Sequence, residues 1–141
     1  MKKKLLRTVA LGLILVALLG TVAFASVQAN PYISATAVVV DNPGKGVIDV
    51  AFTINGTGTM KDIGALRVDL YNKDGSWYDK HEYTDKGYGY MMTTDDYSHG
   101  GIVSFDCEKG NTYYAVVNYY AGDLNGSGGG TMMKSSLIKA K

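Results

Sequence analysis

The chain has 141 residues, with 14 basic and 13 acidic side chains, 18 glycines, 11 tyrosines and a single cysteine, Cys107. One cysteine excludes an intramolecular disulfide, so the fold must depend on its apolar core. The first 25 positions hold four of the basic residues and no acid, which leaves 10 basic against 13 acidic residues, a net charge of −3, in the rest. That weakly acidic balance excludes the basic footprint of a nucleic-acid or anionic-membrane binder.

The N-terminal segment has the layout of a secretory signal peptide. A basic start, Met1–Arg7, precedes an apolar run, Val9–Leu19, and the small-residue motif Ala23-Phe24-Ala25 follows. We expect a signal-peptide helix over residues 1–25, cleaved after this motif or after Ala29. Retention as a membrane anchor is the alternative, because the segment Thr8–Ala25 is just long enough to span a bilayer. The expected localisation is secreted, by export of a Gram-positive type, with no membrane partner after cleavage.

The remainder, residues 30–141, is predicted to form one domain built of strands. Apolar residues recur there with period two, which is typical of antiparallel strands with one wet face. In Ala65–Tyr71, for example, Arg67 and Asp69 alternate with inward apolar residues. Seven strands are predicted, at about Tyr32–Val40, Val47–Asn55, Ala65–Tyr71, Trp77–Tyr83, Gly101–Asp106, Thr112–Tyr120 and Thr131–Ala140.

The segments between these strands are rich in glycine, asparagine and aspartate, which favour turns. Asn55–Gly58 is predicted to end the second strand, Thr84–Gly100 to be irregular, and Gly122–Gly130 to be a flexible loop. Seven strands with turn signals at intervals of about 8–12 residues predict an all-β, immunoglobulin-like antiparallel sandwich.

Two resemblances extend this prediction. The segment Gly110–Val117 resembles the start of the sixth strand of fibronectin type III and related sandwiches. That resemblance implies that Tyr113 is a tyrosine-corner residue, with its hydroxyl bonded to backbone, and that Ala115 and Val117 point into the core. The second strand lacks the tryptophan of that family, and Phe52 would take its place.

The chain as a whole resembles small exported proteins of clostridia and their relatives. These carry a signal peptide and one glycine- and serine-rich sandwich domain with a Gly-Ser-Trp after a hairpin, here Gly75-Ser76-Trp77. The resemblance implies a bacterial extracellular protein. It supplies no catalytic residues, because the function of such proteins is largely unknown.

Catalytic chemistry has few candidate groups in this chain. The histidines are His81 and His99, and the cluster Asp95–His99 holds acids, a hydroxyl and an imidazole within a predicted loop. Adjacent loop residues seldom point at one another, so a solvated loop is the preferred interpretation. Cys107 lies between two acidic residues, which raise a thiol pKa, and we expect a half-buried structural residue. We therefore predict no enzymatic function.

A calcium site is the one cofactor that the sequence suggests. Asp123, Asn125 and Ser127 place oxygen atoms at alternate positions before a glycine, as in the first half of an EF-hand loop. The closing acid is missing, because the twelfth position is Lys134. A glycine-rich hairpin loop needs the same residue types and is the preferred interpretation, so no cofactor is expected.

The aromatic residues are the strongest candidates for function. Tyrosine and tryptophan combine a flat apolar face with a polar group, which suits contact with glycans or proteins. Cross-strand pairing of aromatic residues on a wet sheet face is the alternative. The predicted contact surface is Trp77, Tyr78, Tyr88, Tyr90 and Tyr97. The expected function is an exported binding or adhesion module for an extracellular protein or glycan, and the alternative is a small bacteriocin-like effector that acts on neighbouring cells.

Overall fold

The computed structural model describes residues 30–141, so the predicted signal peptide and its cleavage sites lie outside the described residues. This part of the chain is all-β. Its antiparallel strands form one seven-stranded sheet, accompanied by a short 3₁₀ turn, Gly89–Met91. No helix within residues 30–141 has the length and apolarity to cross a membrane. The strands are β1 (Ile33–Gly44), β2 (Val47–Asn72), β3 (Trp77–Glu82), β4 (Met92–Asp106), β5 (Thr112–Gly122), β6 (Gly128–Lys134) and β7 (Ile138–Lys139).

The predicted alternation of buried and exposed residues is confirmed in β2 and β5. In β5, Ala115 and Val117 are fully buried. Burial of a side chain the size of valine or larger contributes about 1.5–3 kcal/mol to the free energy of folding. These positions therefore determine which face of each strand packs against the core. The alternate apolar residues at the start of β2, all at most 1% exposed, are Ile48, Val50, Phe52 and Ile54.

The predicted turn at Asn55–Gly58 is wrong, because β2 continues through it. The first half of β2 pairs with β1 and β4, and its second half pairs with β3, β4 and β5. The ladder with β4 is interrupted between Asn55 and Met60. A Cβ on Gly56 would lie 2.9 Å from the Met60 side chain. The glycines thus allow a closely packed irregularity within one strand rather than a reversal of the chain.

The prediction that Thr84–Gly100 is irregular is wrong for its second part. β4 begins at Met92 and includes the predicted short strand Gly101–Asp106. Residues 92–96 of β4 pair with residues 60–64 of β2. Because the long partner strand supplies the hydrogen bonds, polar residues without an apolar alternation form a strand here.

The predicted last strand, Thr131–Ala140, is divided into β6 and β7, and β6 begins inside the predicted loop at Gly128. The glycines of β6 pair with the end of β5. A Cβ on Gly128 would overlap the hydroxyl group of Tyr120. Because Gly128 has no side chain, the Tyr120 ring can pack closely against β6. The glycine-rich composition alone predicts a loop here.

Two parts of the sheet face each other across the core in a sandwich-like arrangement. β1, the first half of β2 and the end of β4 form one part, and β3, the second half of β2, β5 and β6 form the other. The rings of Phe52 and Tyr119 meet edge to face with centroids 6.3 Å apart. The Tyr119 hydroxyl donates a hydrogen bond to the Ala37 carbonyl at 2.6 Å. Within residues 30–141, every buried side-chain nitrogen and oxygen has a hydrogen-bond partner.

Candidate functional site

The outer face of the sheet, meaning the side of β2, β3, β5 and β6 that points away from the core, carries polar and aromatic side chains. The outward residues of β2 have outward partners on β3. These pairs are Arg67 with Glu82, Asp69 with Lys80, and Tyr71 with Trp77. The hairpin between the strands is closed by a hydrogen bond from the Ser76 amide to the Asp74 carboxylate and by Gly75 at φ 91°. This tight turn places Trp77 next to β2.

Asp69 lies at the centre of the outer face and is only 4% exposed. Its carboxylate accepts hydrogen bonds from Nε of Arg67 at 2.8 Å and from Nη2 at 2.6 Å. Oδ1 of Asp69 also accepts a hydrogen bond from Nε1 of Trp77 at 3.1 Å. The indole is thereby held by its polar edge, while 52% of the Trp77 surface stays exposed.

The charged residues around Asp69 neutralise one another. Nη1 of Arg67 lies 3.7 Å from Oε1 of Glu82, and Nζ of Lys80 lies 3.0 Å from the same oxygen. Two cations and two carboxylates therefore form one chain of ion pairs with no net charge. The hydrogen bond to Asp69 raises the pKa of the Arg67 guanidinium above its ordinary value. Paired charges of this kind orient side chains more than they attract ions.

An open cleft of about 440 Å³, which we call the outer-face cleft, lies beside this network. In the described part of the chain, Arg67 uses Nε and Nη2 for its hydrogen bonds, whereas Nη1 makes only the 3.7 Å ion pair with Glu82, so its N–H groups can still donate to water or a ligand. Residues that line the cleft include Arg67, Asp69, Glu82, Tyr83 and Asn118. The cleft therefore offers donors, acceptors and an aromatic wall together.

Two outward tyrosines stack next to the cleft residues. The rings of Tyr71 on β2 and Tyr114 on β5 are 5.3 Å apart with an angle of 12° between their planes. Nζ of Lys134, on β6, lies 4.1 Å from the centroid of the Tyr114 ring. Tyr114 therefore has a ring on one side and an ammonium group within cation–π distance. This cross-strand pairing is the alternative that the sequence offered for its tyrosines.

The five residues of the predicted contact surface lie in different settings. Trp77 lies on the outer face, as described above. Tyr78 packs edge to face on Tyr113 with centroids 4.9 Å apart, and its hydroxyl donates to the Asp106 carbonyl at 3.1 Å. Tyr97 lies on β4 and is 67% exposed.

Tyr88 and Tyr90 lie together, with their ring centroids 6.1 Å apart. The Tyr88 ring stacks on the His81 ring at 4.1 Å. The Tyr90 hydroxyl donates to the Ile102 carbonyl of β4 at 2.6 Å, and burial raises the pKa of Tyr90 to about 12. Tyr90 is thus bonded to the backbone of β4, and Tyr88 packs on His81.

The two histidines have partners within the fold. His99 lies on β4 rather than in a loop, and its Nε2 is 2.6 Å from the Tyr90 carbonyl oxygen, so this nitrogen carries the proton. Nε2 of His81 is 3.2 Å from the Tyr88 hydroxyl. The partner of each imidazole is therefore an uncharged group of a tyrosine, the carbonyl of Tyr90 or the hydroxyl of Tyr88.

Asp123 closes the loop in which the sequence suggested a calcium site. Oδ1 of Asp123 accepts hydrogen bonds from the amides of Asn125 and Ser127, both at 2.9 Å. The Asp123 amide donates to the Ser127 carbonyl at 2.6 Å. These bonds account for the aspartate as a turn residue. Within residues 30–141, no three His, Cys, Asp or Glu side chains are grouped so as to hold a metal ion.

Tyr113 and Cys107 both lie near the turn before β5. Tyr113 is fully buried, and its hydroxyl accepts a hydrogen bond from the Glu108 amide at 3.1 Å. Cys107 is half-buried, with Sγ 3.7 Å from the Phe105 carbonyl. Burial, together with the negative charge of Asp106 and Asp79, raises the pKa of the Cys107 thiol to about 11. The thiol therefore remains protonated at neutral pH.

Sequence reasoning placed Arg67 and Asp69 on a wet face but did not connect them with Trp77. The sequence feature that could have connected them is the short hairpin. It sets Tyr71 opposite Trp77 and so brings the indole within reach of Asp69. Nothing local indicated Asn118, which reaches the cleft because β5 pairs with β2. No protein-family model matches this chain, and no curated protein matches it either.

Proposed function

We propose that this protein is an exported, non-catalytic binding module whose contact surface is the outer face around Trp77. One observation carries the proposal: a tryptophan that is 52% exposed has its indole nitrogen bound to a nearly buried carboxylate. Exposed tryptophan is costly to leave in water, and a ring that is held in place loses little entropy when a partner covers it. The expected partner is an extracellular protein or glycan.

Export is the second part of the proposal. It is supported by the order of a basic start, an apolar run and small residues before position 26. The finer fold proposal is an immunoglobulin or fibronectin type III-like sandwich. It is supported by the bond between the Tyr113 hydroxyl and the Glu108 amide, which is of the kind that a tyrosine corner makes. Mass spectrometry of the protein released by a Gram-positive host tests export, and a mature chain starting at Ser26 or Asn30 is expected.

The binding proposal is tested by retention of the labelled protein on intact bacterial cells and on purified cell-wall material. We expect Trp77→Ala to reduce retention about tenfold or more, because truncating an anchoring tryptophan typically has an effect of this size. Tyr97→Ala is the matched control, since Tyr97 is an exposed aromatic residue outside the outer face. Equal retention of the wild type and Trp77→Ala would overturn the role of this face.

A further inference from the structure

We propose that the outer-face cleft binds an uncharged saccharide chain, one ring of which stacks on Trp77. This inference rests on the proposed binding function and names the ligand class of that same site. Asp69 lines the cleft and also accepts the hydrogen bond of the Trp77 indole, so this one carboxylate connects the cleft with the exposed ring. A pyranose ring has an apolar face that matches a flat aromatic ring, and hydroxyl groups around its edge.

The available aromatic surfaces lie at both ends of β3. Trp77 begins this strand, and Tyr83, which is 39% exposed and lines the cleft, directly follows it. Six residue steps of extended chain separate them by roughly 20 Å. Tyr114 offers less, because Tyr71 stacks on it and Lys134 lies over its ring. The surface is therefore elongated along β3, which suits a chain of sugar rings better than a single ring.

The polar groups of the cleft match hydroxyl groups. Arg67 presents N–H donors at Nη1, Glu82 presents carboxylate acceptors, and Asn118 presents one acceptor and two donors in its amide group. A hydroxyl group both donates and accepts, so one kind of ligand group can satisfy all three side chains. A purely apolar surface has no groups that could form these additional hydrogen bonds.

The charges of the cleft favour an uncharged ligand. Asp69 neutralises Arg67 at 2.6 Å, and Lys80 neutralises Glu82 at 3.0 Å. An anionic ligand would compete with Asp69 for Arg67, and a cationic ligand would compete with Lys80 for Glu82. Either exchange would break an existing ion pair, whereas a neutral sugar can add hydrogen bonds and leave these pairs intact.

The test uses the emission of Trp77, which is the only tryptophan in the chain. The purified protein is titrated with cellohexaose, chitohexaose and mannohexaose, and separately with the anionic polymer polygalacturonate. We expect a saturable shift of Trp77 emission with at least one neutral oligosaccharide. By calorimetry, the affinity for that oligosaccharide should fall about tenfold or more in Trp77→Ala and should not change in Tyr97→Ala.

Asn118→Ala supplies an independent variant, because it leaves the Trp77 hydrogen bond in place. We expect weaker saccharide binding in this variant with an unchanged circular dichroism spectrum. Binding of polygalacturonate alone, or no saturable change with any neutral oligosaccharide, would overturn the saccharide proposal. If retention on cells still depends on Trp77, the binding function stands, and its ligand is an anionic glycan where polygalacturonate binds and a protein where no saccharide does. If retention is also independent of Trp77, both proposals fail.

Discussion

The indole nitrogen of Trp77, at the start of β3, donates a hydrogen bond to the Asp69 carboxylate, on β2, at 3.1 Å. Asp69 is 4% exposed although it belongs to the outer face, because Arg67 and Trp77 cover it. A polar group at such a position gives stability only while its hydrogen bonds are made. The same contact therefore stabilises the sheet and sets the orientation of the most exposed large aromatic surface on this face.

Removing the charge at Asp69 should loosen Trp77 and destabilise the protein. In Asp69→Asn the carboxylate that receives Arg67 and Trp77 is replaced by an amide, so we expect a loss of about 1–3 kcal/mol in the free energy of unfolding. Denaturant titration measures this loss, and Trp77 emission should move to longer wavelength as the ring gains contact with water. Trp77→Phe is the matched control, with a smaller loss of about 1 kcal/mol. Native-like stability and emission in Asp69→Asn would contradict the role of this contact.

Gly64 should tolerate no side chain. It lies in β2 at φ 156°, and an added Cβ would overlap the Met91 carbonyl oxygen and lie 2.8 Å from Cα of Met92. Both obstacles are backbone, which cannot move without disturbing the ladder with β4. We expect Gly64→Ala to cost about 3 kcal/mol or more, or to prevent folding. Gly58→Ala is the control, because nothing lies within 4 Å of its Cβ, and similar melting temperatures for the two variants would contradict this expectation.

The hydroxyl of Tyr113 should contribute through its bond to the Glu108 amide. Tyr113→Phe removes only this oxygen from a fully buried ring and leaves the amide without its partner. We expect a loss of about 1–2 kcal/mol in denaturant titration, with an unchanged slope. Tyr114→Phe, on the same strand but facing outward, should change stability by less than about 0.5 kcal/mol. Equal effects of the two changes would argue against a specific role for the Tyr113 hydroxyl.

Cys107 should react slowly in the folded protein. Burial raises the pKa of its thiol from 9.0 to about 11, so the thiolate fraction at mildly alkaline pH is lower by about 100-fold. The rate of alkylation by iodoacetamide should be lower by at least this factor in the native protein than in the protein unfolded by guanidinium. It should rise with pH up to about 11. Native and unfolded rates that agree would contradict the buried, protonated thiol.

The Asp123 loop should be stable without calcium. Oδ1 of Asp123 already accepts two amide hydrogen bonds within the loop, so we expect the same melting temperature in calcium and in a chelator. Asp123→Ala should lower stability by about 1 kcal/mol in both conditions. A rise in melting temperature with calcium that disappears in Asp123→Ala would instead support the EF-hand-like interpretation.

The strand content and the inward faces followed from local pattern, but the extent of the strands did not. The alternation that predicted burial of Val50 and Phe52 is a property of one strand, whose successive side chains point to opposite faces. In contrast, the glycines at Gly56 and Gly128 carry the same local signal as turn residues. They lie within strands because β1 pairs with Gly56 and β5 pairs with Gly128, and because a neighbouring side chain packs where a Cβ would be.

The candidate site was predicted only in part for the same reason. The sequence alone indicates Trp77, because a tryptophan directly after a predicted hairpin turn suits a contact surface. Its partner Asp69 needed the register of β2 against β3, and Asn118 needed the pairing of β5 with β2. The sequence prediction placed Tyr78 on the same surface as its neighbour Trp77. In the structure, the β2–β3 ladder has an irregularity between Leu70 and Tyr71, and Tyr78 packs against the buried Tyr113.

By itself, the sequence determined that residues 30–141 form antiparallel strands and which side chains those strands bury, because period-two alternation acts within each strand. The tertiary structure decided how far β2 and β4 extend, since the backbone hydrogen bonds of a strand are made by residues far along the chain. It also decided that Arg67, Asp69 and Trp77 share one cluster, since strand register, which no single segment contains, sets the distances between their side chains.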